Sequence, residues 1–143
     1  MQRSRLDVYA HFVWSTKRRE GGLSPDLEGP VYRCMCAEAV RLDCKVMAVG
    51  GVEDHVHLLL ALPATTSLAR LMQRVKGVSS TLARNLSAGR FPGWQDNYAA
   101  ISVSPRHVRR VERYIANQKA HHAANTTWPR AEALPEDDSA PTE

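Results

Sequence analysis

Cysteine, long apolar runs and phosphate-binding glycine loops are what this chain of 143 residues has least of. Its three cysteines, Cys34, Cys36 and Cys44, are odd in number and closely grouped, so they make no disulfide framework. Cys34 and Cys36 lie two apart on an expected helix and point to different sides of it. No C-x-x-C pair or histidine-rich segment accompanies them, and they read as ordinary thiols of a reducing compartment. The longest apolar run, Val56 to Leu62, is interrupted by His57 and falls far short of the ~20 residues that cross a bilayer. No membrane span is expected. The first residues, Met1-Gln2-Arg3-Ser4-Arg5, lead into Asp7 and an alternating pattern where a secretory signal would have a continuous apolar stretch, so a cytoplasmic location is expected. There is no G-x-x-x-x-G-K, so no nucleotide cofactor is expected, and no internal repeat.

With 43% hydrophobic residues, the length suits one domain with a real core. The net charge of +4 hides an uneven distribution. Residues 131–143 hold five acids and no Lys or Arg, so residues 1–130 carry all 19 basic residues against ten acids, a net +9. A body that basic is suited to polyanions, although a merely soluble basic surface has the same charge.

The pattern predicts strand, helix, strand, strand, helix, strand, helix. Residues 7–14 alternate, with Val8, Ala10, Phe12 and Trp14 set between Tyr9, His11 and Val13. Ser24-Pro25 is a cap-plus-proline start for a helix carrying Leu27, Val31, Met35 and Leu42, with Gly29-Pro30 weakening its first turn. Lys45–Val49 and Val56–Leu62 are expected to form an antiparallel pair. Ser67 caps an amphipathic helix with Leu68, Leu71, Met72, Val75, Leu82 and Leu86, in which Gly77 and Ser79-Ser80 allow a kink. Residues 98–103 are the last strand, and Ser104-Pro105 opens a final helix running to about His122. The economical solution is an α+β, ferredoxin-like (RRM-like) sandwich: an antiparallel four-stranded sheet with helices on one face, in a domain spanning residues 1–124. Residues 125–143, rich in Pro, Ala and acids, are expected to be a flexible tail, with Trp128 and Leu134 its only large apolar side chains.

Two histidines carry the clearest chemical signal. In a strand His55 and His57 project to one face while Val56, Leu58 and Leu60 face the core, and paired imidazoles form a platform for a divalent cation. Two unrelated histidines at a strand edge would show the same pattern. Asp54 either orients one ring or belongs to the turn. On the final helix Tyr114 and Gln118 are four apart and share a face, as part of a site or as a flank of the Val108, Val111, Ile115 packing stripe.

Five segments together resemble a known family. They are His11-Phe12-Val13-Trp14-Ser15-Thr16-Lys17-Arg18-Arg19, Asp54-His55-Val56-His57-Leu58-Leu59, Lys76-Gly77-Val78-Ser79-Ser80, Trp94-Gln95-Asp96-Asn97-Tyr98 with Ser102-Val103-Ser104, and Tyr114-Ile115-Ala116-Asn117-Gln118 with His121-His122. Their order and spacing resemble the single-tyrosine HUH (His-hydrophobic-His) transposases of small bacterial insertion sequences that move as single-stranded DNA. The resemblance implies that Tyr114 is the nucleophile, that His55, His57 and Gln118 hold Mg2+ or Mn2+, and that single-stranded DNA is cut and rejoined at hairpin-bearing ends through a 5'-phosphotyrosine link. It also implies a homodimer in which the tyrosine helix can serve the partner's metal site. Two departures stand out: the residues after His122 lack the further helix and acidic-aromatic segment of many relatives, and Gly51-Val52-Glu53 precede Asp54 where proline or asparagine is common.

For DNA contact the candidates are Lys17, Arg18 and Arg19 after the first strand, Arg70, Arg74, Lys76 and Arg84 on the amphipathic helix, and Arg106, His107, Arg109 and Arg110 at the start of the last. Each has an alternative as a solvated surface residue. Trp94, Phe91 and Tyr98 are candidates for stacking on unpaired bases, or for anchoring core and loops. Two other functions fit parts of the sequence. A hairpin-binding relative without enzymatic activity would keep the basic surface, and a histidine-triad nucleotide hydrolase would share His-Val-His but needs a third alternating histidine where Leu59 stands. The acidic tail is a candidate competitor of DNA for the basic face.

Overall fold

The structure is a computed structural model that describes residues 4–129 and 131–132. Four strands, β1 (Tyr9–Ser15), β2 (Lys45–Val52), β3 (His55–Ala61) and β4 (Ala99–Val103), form one antiparallel sheet in the order β2-β3-β1-β4. Four helices accompany them: α1 (Pro25–Arg41), α2 (Leu68–Leu86), α3 (Val108–Ala116) and α4 (Gln118–Ala124). This is the expected ferredoxin-like α+β sandwich. Among the described residues no helix is long and apolar enough to cross a membrane.

Alternation along the strands sorts the core into two layers. Ala10, Phe12 and Trp14 of β1 and Val56, Leu58 and Leu60 of β3 pack against Leu27, Val31 and Met35 of α1 and Leu71, Met72 and Val75 of α2. The other layer is smaller: Leu59 meets Val108, Tyr114 and Ile115, with Tyr9, Met47, Val111 and Trp128 around them. The helices therefore do not all lie on one face, as the sequence suggested. The β3 residues that α3 covers, His55, His57 and Leu59, are the ones a one-sided arrangement would leave to solvent, and all three are buried.

Local signals explain the ends of most elements. Pro25 stands at the first helical position of α1, which continues through Pro30. Ser67 accepts a hydrogen bond from the Arg70 N–H at 3.1 Å, and α2 then runs unbroken through Gly77 where a kink was allowed for. Strand β2 continues through Gly50 and Gly51 to Val52, beyond the expected end at Val49, because β3 supplies ladder partners for both glycines.

Gly50 has a packing role. A Cβ there would collide with the Ile115 carbonyl oxygen, so α3 docks on β2 at a distance only glycine permits. The final helix is also divided. Asn117 ends α3 with φ −108° and ψ 26°, its side-chain amide donates to the Arg113 carbonyl at 2.8 Å, and α4 begins at Gln118. Tyr114 and Gln118, expected on one continuous helix, belong to different ones.

Two substitutions separate close approach from helix propensity. Gly50→Val is expected to lower the thermal midpoint by several degrees, because α3 must lift. Gly77→Ala, with nothing within 4 Å of the new methyl, is expected to stabilise the fold by about 0.5–1 kcal/mol. Thermal unfolding followed by circular dichroism reads both, and unchanged stability of Gly50→Val would contradict the packing account.

Candidate active site on the histidine face of the sheet

His55 and His57 lie side by side, 1% and 0% exposed, with ring centroids 5.1 Å apart. Each has its Nδ1 engaged from behind. Asp54 Oδ1 lies 2.7 Å from His55 Nδ1, and His11 Nε2 lies 2.8 Å from His57 Nδ1. In the β1–β3 register His11 is opposite Leu59 and Val13 opposite His57, so His11 reaches His57 diagonally across the pair. These partners turn the Nε2 atoms of both histidines toward α3.

A carboxylate meets them there. Glu132 Oε2 is 2.9 Å from His55 Nε2 and 3.1 Å from His57 Nε2, while Oε1 is 3.3 Å from His122 Nε2 and accepts a hydrogen bond from the Tyr114 hydroxyl. The chain reaches this position by folding back after α4. Thr126 N–H donates to the His121 carbonyl at 2.9 Å, and the N–H groups of Ala131 and Glu132 both donate to the Trp128 carbonyl at 3.0 Å. The Trp128 ring stacks on Tyr114 at 4.1 Å with Arg110 lying 4.9 Å over it, and Trp128 N–H donates to the Tyr114 oxygen at 3.0 Å. His121 also stacks on Tyr114, at 4.7 Å. Part of the segment expected as a free tail thus packs over the tyrosine. Residue 130 and residues 133–143, Leu134 and four of the five acids among them, lie outside the described residues.

Tyr114 is 1% exposed and reaches the histidines of its own chain, with 6.1 Å between its ring centroid and that of His57. Gln118, also 1% exposed, opens α4, and its Oε1 lies 3.1 Å from His122 Nε2. Its amide nitrogen is buried with no hydrogen-bond partner. A cleft of about 430 Å³ lined by Glu28, Asp54, Lys119 and His122 opens beside this cluster.

Protonation follows from burial and neighbours. Burial, then the Glu132 carboxylate, pushes the Tyr114 phenol up to about 12. For Glu132 burial acts upward, but the histidines beside it prevail and hold its carboxyl well below the usual range. Burial, then His57, lowers His11 to about 3, so His11 is neutral at ordinary pH. Burial also lowers His57; for His55 the Glu132 and Asp54 carboxylates outweigh burial and raise it.

The cluster fits a divalent cation. With the Asp54 carboxylate on its Nδ1, His55 turns Nε2 inward, a buried nitrogen that makes no directed hydrogen bond. A carboxylate oxygen 2.9 Å from that nitrogen calls for a proton or a cation between them. Imidazole nitrogens and carboxylate or amide oxygens are a suitable donor set for such an ion, and His55, His122 and Glu132 offer ligand atoms within 4.8 Å of one another.

The candidate DNA contacts are placed less uniformly. Lys17 is exposed, Arg18 pairs with Glu20 at 2.9 Å, and Arg19 lies 3.5 Å from Asp54, which brings one guanidinium to the edge of the site. Arg74 pairs with Glu38 at 3.1 Å and remains half exposed. Two candidates have structural roles. The Lys76 ammonium donates to the carbonyls of Gln95, Asp96 and Asn97 at 2.6, 3.1 and 3.1 Å, and so ties α2 to the 95–97 loop. Trp94 is buried edge-on to Trp14 and Phe91 and donates to Ser79 Oγ at 3.0 Å, which makes it an anchor of the core. Phe91 is core as well. Arg106, His107, Arg109 and Arg110 are exposed at the start of α3.

Sequence reasoning gave no role to His11, His122, Trp128 or Glu132. The alternation of β1 put His11 on a definite face but not opposite His57, and nothing in the local pattern around Glu132 signals a return to the sheet.

Comparison with known proteins identifies the family and the fold. No curated protein matches the chain. Among solved structures, a candidate transposase from Deinococcus radiodurans R1 superposes with TM-score 0.64 at 23% identity, covering 82% of this chain and 98% of that one. A REP-associated tyrosine transposase bound to a REP hairpin superposes with TM-score 0.65 at 15% identity, covering 99% of this chain and 93% of that one. At these identities the two show that the fold is shared. The profile of IS200-like transposases matches residues 4–118, most of the chain and both histidine strands, and the protein therefore belongs to the IS200-like transposase family.

Proposed function

We propose that this transposase cleaves and rejoins single-stranded DNA at hairpin-bearing ends, with Tyr114 as nucleophile and a divalent metal, Mg2+ or Mn2+, at His55 and His57 with Gln118 as a third ligand. One observation carries the reading: the Tyr114 hydroxyl and the Nε2 atoms of both histidines converge on the same carboxylate, so nucleophile and metal ligands stand within one side chain's reach. The structure bound to a REP hairpin supports hairpin DNA as the substrate class for this fold.

The chemistry follows from the residues. The Tyr114 oxygen attacks the scissile phosphorus; a P–O bond to tyrosine forms, the bond to the 3' oxygen breaks, and that oxygen leaves with a proton. The phosphotyrosine keeps the broken bond's energy, so a new 3' hydroxyl can reverse the step without ATP. A divalent cation, when bound, neutralises charge developing on the phosphate oxygens and favours the phenolate. Asp54 and His11 hold the histidine rings with Nε2 inward, and Trp128 and His121 fix the phenol ring. Lys17, Arg18, Arg19 and Arg74 serve the phosphate backbone, Arg19 nearest the site. A homodimer belongs to the same proposal: among the described residues β4 pairs only with β1, leaving an edge on which a second copy would continue the sheet.

Labelled hairpin-bearing single strands with Mg2+ or Mn2+ provide the test. Wild type is expected to give a denaturant-resistant covalent adduct and Tyr114→Phe none; an adduct of undiminished yield from Tyr114→Phe would sink the mechanism. Asp54→Asn and His11→Phe, which remove the groups behind the ligands, are each expected to weaken metal affinity about 10–100-fold, measured by calorimetric titration with Mn2+.

A further inference from the structure

We infer that Glu132 is a ligand of the divalent cation, supplied when the segment after α4 folds back across Tyr114. The inference rests on the metal reading of His55 and His57 and adds a protein donor to it. Glu132 Oε2 stands 2.9 and 3.1 Å from the two Nε2 atoms, near the about 3 Å that separates neighbouring ligands each about 2.1 Å from an octahedral ion such as Mg2+.

Hydrogen bonding alone does not account for the placement. His57 Nε2 makes a hydrogen-bond contact with Oε2 at 3.1 Å, but His55 Nε2, 2.9 Å from the same oxygen, makes no directed hydrogen bond. With Nδ1 of His55 on Asp54 and Nδ1 of His57 on His11, both Nε2 atoms point inward, as metal ligation requires. Three electron-rich atoms then face one point, an arrangement that a cation stabilises.

The carboxylate is held there by its own segment. Trp128 is stacked on Tyr114 and lies under Arg110, and the Ala131 and Glu132 N–H groups close a turn on the Trp128 carbonyl. Two imidazoles and an amide are neutral, so Glu132 supplies negative charge that the rest of the proposed ligand set lacks, and a hard oxygen donor suited to Mg2+ or Mn2+. Its second oxygen accepts from Tyr114, linking the nucleophile to the ligand set through one side chain.

The test is Mn2+ binding by the full-length protein without DNA, read by calorimetry and by the Mn2+ electron paramagnetic resonance signal. Wild type, Glu132→Gln, Trp128→Ala and His57→Ala are compared, each checked for native circular dichroism. Glu132→Gln is expected to weaken Mn2+ about tenfold or more, with Trp128→Ala reproducing the loss by releasing the segment. Unchanged or tighter binding by Glu132→Gln, with His57→Ala still abolishing it, would overturn the inference and make Glu132 an occupant that competes with metal or phosphate. Binding unaffected by His57→Ala would overturn the metal reading itself.

Discussion

Strand β3 is buried on both faces, and its two-residue alternation gives each face a different chemistry. Val56, Leu58 and Leu60 fill the layer beneath α1 and α2, where full burial of each such side chain is worth about 1.5–3 kcal/mol. That packing fixes the register, and a slip of one residue would drive His55 and His57 into an apolar core. The histidines are thus held by the stability of the opposite face. Leu59, following them on their own side, gives α3 its first apolar contact and draws the tyrosine helix over the pair.

The distance from helix to strand is set by a missing side chain. Because Gly50 lets the Ile115 carbonyl approach β2, Tyr114 comes down far enough to share a carboxylate with the histidines. The resulting cluster is in electrostatic tension. The phenol is pushed up by burial and by Glu132, while the inward nitrogens of His55 and His57 crowd the other oxygen of the same carboxylate. On the proposed reading, a divalent cation held there would meet both demands, ligating the inward nitrogens and withdrawing charge from the carboxylate that keeps the phenol protonated. Metal affinity and tyrosine reactivity, as proposed, would then be two consequences of one arrangement.

Much of this was legible in the residues because the signals were local or periodic. The element order, the cap at Ser67 and the proline start at Pro25, the shared face of His55 and His57, and the ferredoxin-like sandwich follow from alternation, helical spacing and local start signals. What escaped depends on tertiary position. His11 gains its partner from strand register, and the break at Asn117 comes from a side-chain amide competing for a helix carbonyl. Lys76 and Trp94 have the residue types expected at a nucleic-acid surface, but loop carbonyls claim the first and the core claims the second. Glu132 was the least legible, an acid in a Pro- and Ala-rich segment, returned to the sheet by one stacked tryptophan.

The central claim is that the Nε2 atoms of His55 and His57 and the carboxylate of Glu132 surround one divalent cation next to Tyr114. Anomalous scattering from crystals of the full-length protein grown with Mn2+ addresses it most directly. The account predicts a single strong peak within bonding distance of His55 Nε2, His57 Nε2 and a Glu132 oxygen. A peak elsewhere on the molecule, or none at the two histidines at saturating Mn2+, would contradict it.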